Sequence, residues 1–344
     1  MNIHNNSETF KEAVDFILIG SVTRTCEIKG ITQAGIPGKI PYTSTLDAEF
    51  ITTGDVFSMP DIAETPKGVP TPALITRAVH ELKPFASMTI VNAGLTVFPQ
   101  GCDVKLFGLT ASEAINKGAN IDAKDVFEKG MKFGKFCLTK KGSIIVGEST
   151  PSGTTTAMAT AKALGIKVEG LFASSFKEAP SSLKEEVVNA SYALLNDEMS
   201  TFEKLGIVSD NMLIFTAGFV IEASKRMKVT LAGGTQMATA LHVMQTLAKE
   251  LNLEYEAKNI ELITTKWLAL DVNSNIDKLI NKLQPSITAS YADFDFSLSE
   301  HPALKLYDEG EAKEGVGAGA CLAYAFAKGI TQEQITRKVE SYLG

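Results

Sequence analysis

The stretch SIIVGESTPSGTTTAMATAKALG, residues 143–165, decides the fold. It starts as a short apolar run, which reads as a strand. It then passes through a turn rich in Gly, Ser and Thr and continues as a helix that Gly165 stops. A strand feeding a helix through a tight turn is the repeating half of a parallel sheet, because parallel strands need a crossover between them.

The pattern recurs on both sides. Downstream, residues 211–218 read as a strand and 219–227 as a helix. KVTLAGGTQMATALHVMQTLAKELN, residues 228–252, repeats strand, glycine turn and helix. Residues 260–270 read as a strand, 274–284 and 181–199 as helices, and 168–174 as a further short strand. The last helix, in residues 331–343, opens on Thr331 and Gln334, the spacing of a capping box. Upstream, a helix capped at Ser7 precedes an apolar strand over residues 16–22. Residues 23–55 are rich in Gly, Pro and Thr, show no helical period, and read as a long loop holding at most a few short strands. A helix over residues 73–82, a strand over 87–94 and a helix over 122–138 complete the walk. In the last of these Gly130 and Gly134 lie on one face, as close packing requires. The predicted fold is therefore α/β: a doubly wound, mainly parallel, Rossmann-like sheet with helices on both faces. All of residues 1–344 form one large domain, whose terminal segments, about 1–15 and 330–344, contribute to a small helical lobe.

Composition agrees with such a domain and narrows its partners. The chain has 344 residues, 44% hydrophobic and 21% charged. Its 33 basic and 40 acidic residues give a formal charge of −7, so there is no basic excess for nucleic acid. A local pocket for one phosphate remains open. The four cysteines have no Cys-x-x-Cys spacing and the four histidines are scattered, so no metal site is expected. The N-terminus has no basic leader and no apolar run spans a membrane, so a cytoplasmic protein is expected.

Ligands of such sheets bind at the carboxyl ends of the strands, so the turns there are the places for chemistry. Three stand out. The turn at residues 147–157 offers a helix N-terminus and the hydroxyls of Ser149, Thr150, Ser152, Thr154, Thr155 and Thr156, which suits an anion. It is not a triphosphate loop, because Thr154 and not Lys follows Gly153. An ordinary Ser/Thr-rich cap has the same composition. The turn at Gly233, Gly234 and Thr235 carries the same physics with fewer hydroxyls. The third, KEGVGAGA over residues 313–320, lets backbone approach closely at Gly315, Gly317 and Gly319 and holds one acid, Glu314. Beside a dry pocket that carboxyl would serve as a general base; in solvent it would merely favour a helix N-terminus.

Together these turns resemble the nicotinate-nucleotide–dimethylbenzimidazole phosphoribosyltransferases, in a branch seen in archaea and some bacteria. The family's phosphate loop has the form G-E-M-G-I-G-N-T-T, which Gly147, Glu148, Thr154 and Thr155 match without gaps. Its late G-E-G-x-G-A segment holds a catalytic glutamate, and Glu314 takes that place. Its glycine pair looks like Gly233 and Gly234, and a phosphate-contacting lysine corresponds to Lys184. Thr150 and Ser152 replace family glycines.

The resemblance implies transfer of a 5-phosphoribosyl group from nicotinate mononucleotide to a lower-ligand base such as 5,6-dimethylbenzimidazole. The products are an α-ribazole phosphate, used in cobamide synthesis, and nicotinate. It implies Glu314 as catalytic base. Glu148, Ser149, Ser152, Gly153, Thr154, Thr155, Lys184, Gly233, Gly234, Thr235, Gly315 and Gly317 would hold phosphate and ribose. It implies no cofactor, no metal, small-molecule substrates only, and a homodimer. A mononucleotide-binding protein without turnover, or a nicotinamide-dependent oxidoreductase on the same α/β pattern, are the alternatives; no G-x-G-x-x-G supports the latter.

Overall fold

The computed structural model describes residues 1–5, 7–137, 142–178 and 180–344. Among them, eight strands form one sheet: β1 (Asn2–Ile3), β2 (Val14–Gly20), β3 (Ser87–Asn92), β4 (Val104–Leu106), β5 (Ser143–Ser149), β6 (Lys228–Ala232), β7 (Ile260–Thr265) and β8 (Thr288–Ala292). Their order is β1-β8-β7-β6-β5-β2-β3-β4 and every neighbouring pair is parallel. Successive residues of β2 point to opposite faces. Phe16 and Leu18 enter one apolar cluster, Ile17 and Ile19 the other. Both faces are covered, which is why strands such as β2 and β5 carry consecutive apolar residues, 16–19 in the first and 144–146 in the second. Each such side chain, fully buried, is worth about 1.5–3 kcal/mol. The doubly wound parallel sheet is the fold expected.

The chain leaves β2 for β3 and β4 on one side, then returns to β5 on the other. The order in which strands are added reverses between β2 and β5, whose ends are paired at Gly20 and Ser149. A crevice opens at such a reversal. Helix Thr43–Thr53 closes over it: the Ser44 hydroxyl lies 2.8 Å from the carbonyl of Ser149 and 3.0 Å from that of Ser21.

Several elements differ from the sequence reading, for one recurring reason. Residues 211–218 are not a strand; they belong to a single helix, Asn211–Ser224. Every residue of that helix except Glu222 is buried, so it has no polar stripe and no visible 3.6-residue period. Its start is marked instead by Asp210, whose carboxylate accepts from the N–H of Leu213 at 2.9 Å. Helix Thr43–Thr53 inside the expected loop is hidden the same way, being buried from Thr43 through Ile51. Residues 23–55 contain no strand, and residues 168–174 form a turn and irregular chain. The helix read over 181–199 ends at Tyr192, and a separate helix, Thr201–Val208, opened by a Ser200–Glu203 capping box, follows beyond it. The strand at 260–270 ends at Thr265, and a short helix, Lys266–Ala269, follows.

Gly130 and Gly134 form the seam of helix Ala123–Phe136. A Cβ on Gly130 would stand 2.2 Å from the Phe215 carbonyl oxygen, and one on Gly134 would stand 2.4 Å from that of Phe219. At the termini, β1 pairs with β8, and helix Gln332–Glu340 packs on helix Ala73–Leu82. No described helix is long and apolar enough to cross a membrane.

Candidate active site

The crevice widens into a cavity of about 920 Å³ of empty space, its open mouth included. Two helices begin at it: Gly153–Ala163, following β5, and Thr235–Glu250, following β6. Their N-termini bring the positive ends of two helix dipoles to one wall. Around them the Thr150, Ser152 and Thr235 hydroxyls and the Gln236 amide oxygen are buried with no partner among the described residues. Leaving buried polar atoms unpaired costs about 1–3 kcal/mol each, so this end of the cavity is built for a ligand rich in hydrogen-bonding atoms.

Lys184 stands directly behind that wall. Only 4% exposed, it donates to the Thr154 hydroxyl at 3.0 Å and the Ala173 carbonyl at 2.8 Å, both neutral acceptors. Burial first, then the charge of Lys313, lowers its pKa to about 7. Lys313 is also buried and lies on the cavity wall. It pairs with Asp271 at 3.2 Å and donates to the Phe176 carbonyl at 3.1 Å. Of the two ammonium groups, only Lys313 has a carboxylate counter-charge.

The opposite charge gathers on the adjoining wall. Glu314 is partly open to the cavity, and its carboxylate accepts four hydrogen bonds. Thr264 Oγ1 donates at 2.8 Å, the N–H of Thr265 at 2.7 Å, and the N–H groups of Gly315 and Gly319 at 3.2 Å each. Those donors favour the charged form, but burial outweighs them and raises the pKa to about 7. Glu148 is buried, and its Oε1 accepts from Gln236 Nε2 at 3.0 Å. Burial, then the charges of Glu314, Asp210 and Asp47, push its carboxyl up to about 8. Ser152, Ala312 and Val316, all on the cavity wall, hold left-handed backbone (φ 62°, 52° and 53°) without being glycine. Such strain, of order 1–3 kcal/mol each, persists where surrounding structure imposes it, commonly at functional sites.

The structure brings together most of the residues the sequence singled out. Glu148, Ser149, Ser152, Gly153, Thr154, Gly234, Thr235, Glu314 and Gly315 line the one cavity. Four do not. Lys184 acts from behind Thr154, and Thr155 is buried inside the helix start. Gly233 lies against Met237 and Glu148, and Gly317 against Phe16 and Gly147. A Cβ on Gly147 would lie 3.0 Å from the Gly317 backbone, so these two glycines let the loops touch.

Sequence reasoning missed Asp47, Thr71, Gln236 and Lys313 on the wall. Asp47 had no signal, because its helix shows no period. Lys313 could have been noticed as the neighbour of Glu314. Among the described residues no group of three or more His, Cys, Asp or Glu is placed to hold a metal.

No family model matches the chain. A UPF0284 protein of Saccharolobus solfataricus is 34% identical over 338 residues, 97% of this chain and 94% of the relative. One from Sulfolobus acidocaldarius is 35% identical over 337 residues, 94% and 93% of the two chains. One from Sulfurisphaera tokodaii is 36% identical over 329 residues, 94% and 91%. The chain belongs to the UPF0284 family. Two solved chains from Thermus thermophilus share its fold. One is CobT, with a TM-score of 0.60 and 14% identity. The other is a nicotinate-nucleotide-dimethylbenzimidazole phosphoribosyltransferase, with a TM-score of 0.61 and 13% identity. Each match covers 96% of this chain and 84% of the other. The family resemblance read from the three turns and the shared fold agree.

Proposed function

We propose that this UPF0284 protein is a phosphoribosyltransferase of the kind its structural neighbours are named for, moving the 5-phosphoribosyl group of nicotinate mononucleotide to an aromatic base. The observation that carries the reading is that one cavity joins an anion-binding wall to a carboxylate. Unpaired hydroxyls, two helix N-termini and the uncountered Lys184 charge make up the first, and the Glu314 carboxylate stands on the wall adjoining it.

The 5′-phosphate lies on the turn of Ser152, Gly153 and Thr154 and on Gly234 and Thr235, with Lys184 and Lys313 supplying positive charge. Glu148, Ser149, Gly315 and the backbone at Gly233 and Gly317 shape the ribose site, and Thr155 completes the helix start. A ring nitrogen of the incoming base attacks C1 of the ribose from the face opposite the pyridinium. The C1–N bond to nicotinate breaks, and its electron pair neutralises the pyridinium nitrogen. The proton on the base's other ring nitrogen passes to Glu314. A base with a pKa near the working pH is suited to that task, worth about 10²–10⁴-fold. Anchoring the phosphate holds C1 in line for attack. The Glu314 carboxylate also faces the positive charge that develops at C1. The protein works as a homodimer.

Incubation with nicotinate mononucleotide and a panel of bases that includes 5,6-dimethylbenzimidazole tests the reading. The expected result is release of nicotinate together with an α-linked ribotide. Tight mononucleotide binding with no nicotinate released for any base would leave a binding protein and overturn the transferase.

A further inference from the structure

One buried atom on the phosphate wall faces the wrong way for an anion. Gln236 is the second residue of helix Thr235–Glu250 and lines the cavity. Its Nε2 donates to Glu148 Oε1 at 3.0 Å. Its Oε1 has no partner among the described residues. That oxygen lies against Gly153, the first residue of helix Gly153–Ala163; a Cβ on the glycine would stand 1.7 Å from it. A carbonyl oxygen suits a helix N-terminus by itself. Beside a phosphate, two acceptors meet and neither has a hydrogen to offer.

The partner at the other end of the amide decides which way it can face. The Glu148 carboxyl is 3% exposed and accepts from Gln236 and from the N–H of Thr150. The charges that bear on it are of its own sign: Glu314 before helix Ala318–Ala327, Asp210 at the start of helix Asn211–Ser224, and Asp47 on helix Thr43–Thr53. The two cations of the wall are held elsewhere, Lys184 by Thr154 and Ala173, Lys313 by Asp271 and Phe176. Burial and then those three carboxylates raise the pKa of Glu148 to about 8. Ionised, it can only accept, so it holds Nε2. Protonated, it has an O–H to donate, and Gln236 Oε1 can accept it. Half a turn about the last side-chain bond exchanges the two amide atoms and brings Nε2 to the phosphate side.

We propose that Gln236 is a phosphate-binding residue gated by a proton on Glu148. With that carboxyl protonated, its O–H donates to Gln236 Oε1 and Gln236 Nε2 donates to the phosphate; the proton comes from solvent as the ligand binds. This rests on the phosphate site proposed above and not on turnover. A neutral Glu148 also leaves Glu314 as the ionised carboxyl of the two, the form a base needs. The ribose hydroxyls are the rival donors for Oε1. One of them there would satisfy the amide as it stands, with no proton taken up.

The test is calorimetry of ribose 5-phosphate at about pH 8.5, in buffers of different ionisation enthalpy, on wild type, Gln236→Ala, Glu148→Gln and the double variant. Lys184 supplies at most one proton, so wild-type uptake should exceed one, and Gln236→Ala should bring it back to about one. Glu148→Gln always has an N–H for Oε1 and needs no proton. At that pH the wild-type carboxyl is about three-quarters ionised, so the variant should bind about fourfold more tightly. In the Gln236→Ala background the same change should gain nothing. An equal gain in both backgrounds means that the carboxylate repels the phosphate directly, and it overturns the proposal. So does weaker binding by Glu148→Gln, or uptake by Gln236→Ala equal to that of the wild type. Wild-type uptake of one proton or fewer, the result of a ribose hydroxyl on Oε1, overturns it as well. If ribose 5-phosphate does not bind the wild type at all, the phosphate site itself falls and the gate with it.

Discussion

The backbone N–H of Val316 donates to the carbonyl of Glu148 over 2.8 Å. This bond sews the loop that carries Glu314 to the end of β5, and Gly147 and Gly317 lie face to face beside it. The spacing of the turn at residues 152–154 and Glu314, the proposed phosphate site and base, is therefore set by backbone contact, not by flexible side chains.

Gly147→Ala tests that seam. Its new Cβ would stand 3.0 Å from Gly317 Cα and N and 3.1 Å from Phe16, and backbone cannot swing aside. We expect a loss of about 1–3 kcal/mol in stability. We also expect kcat to fall by roughly tenfold or more while ribose 5-phosphate still binds. Unchanged kcat with normal stability would mean the two loops are not held in register by this contact.

Replacing Glu314 by Gln keeps its shape and removes the base. Turnover should fall by about 10²–10⁴ with nucleotide affinity largely retained. Only the ionised carboxylate accepts a proton, and its pKa is raised to about 7. Wild-type kcat should therefore climb with pH through about 7 and level off above it, and the variant should lose that rise. A flat wild-type profile between roughly pH 5.5 and 8.5 assigns the proton elsewhere.

Lys184 titrates near neutrality in the protein without ligand, its pKa lowered to about 7 by burial and by Lys313. A bound phosphate dianion restores the charged form. Calorimetry of ribose 5-phosphate at about pH 7.5, in buffers of different ionisation enthalpy, should show net proton uptake by the wild type. Lys184→Met should lose most of that uptake and bind about tenfold or more weakly. Identical proton counts in the two proteins would remove Lys184 from the phosphate site.

Glu148 links the site to stability. Its carboxyl moves from an ordinary 4.5 to about 8, chiefly through burial. A raised acid pKa contributes stability that is complete below the unfolded value and is lost as pH climbs to the folded one. Between about pH 5 and 8 the wild type without ligand should therefore lose stability, on the order of a few kcal/mol, that Glu148→Gln keeps. Denaturant unfolding at both pH values measures the difference. A stability gap that stays constant across that range would contradict it.

By itself the sequence determined the parallel sheet and the turns that line the cavity. Strands such as β2 and β5 are apolar on both faces, and glycine, serine and threonine punctuate their ends, so period and turn chemistry were readable locally. Glu314 stood out because it is the only acid in a run of small residues. Only the tertiary structure decided what lies between those turns. Helices Thr43–Thr53 and Asn211–Ser224 are buried on nearly every side and carry no periodic signal. Asp47, which the first of them delivers to Ser149, could not be placed from local pattern. The convergence of Lys184, Glu148 and Glu314 likewise depends on the strand order, which brings chain ends far apart in sequence to one crevice. Burial then moves their proton affinities toward neutrality, an effect of the surrounding dielectric that no residue carries in its own name.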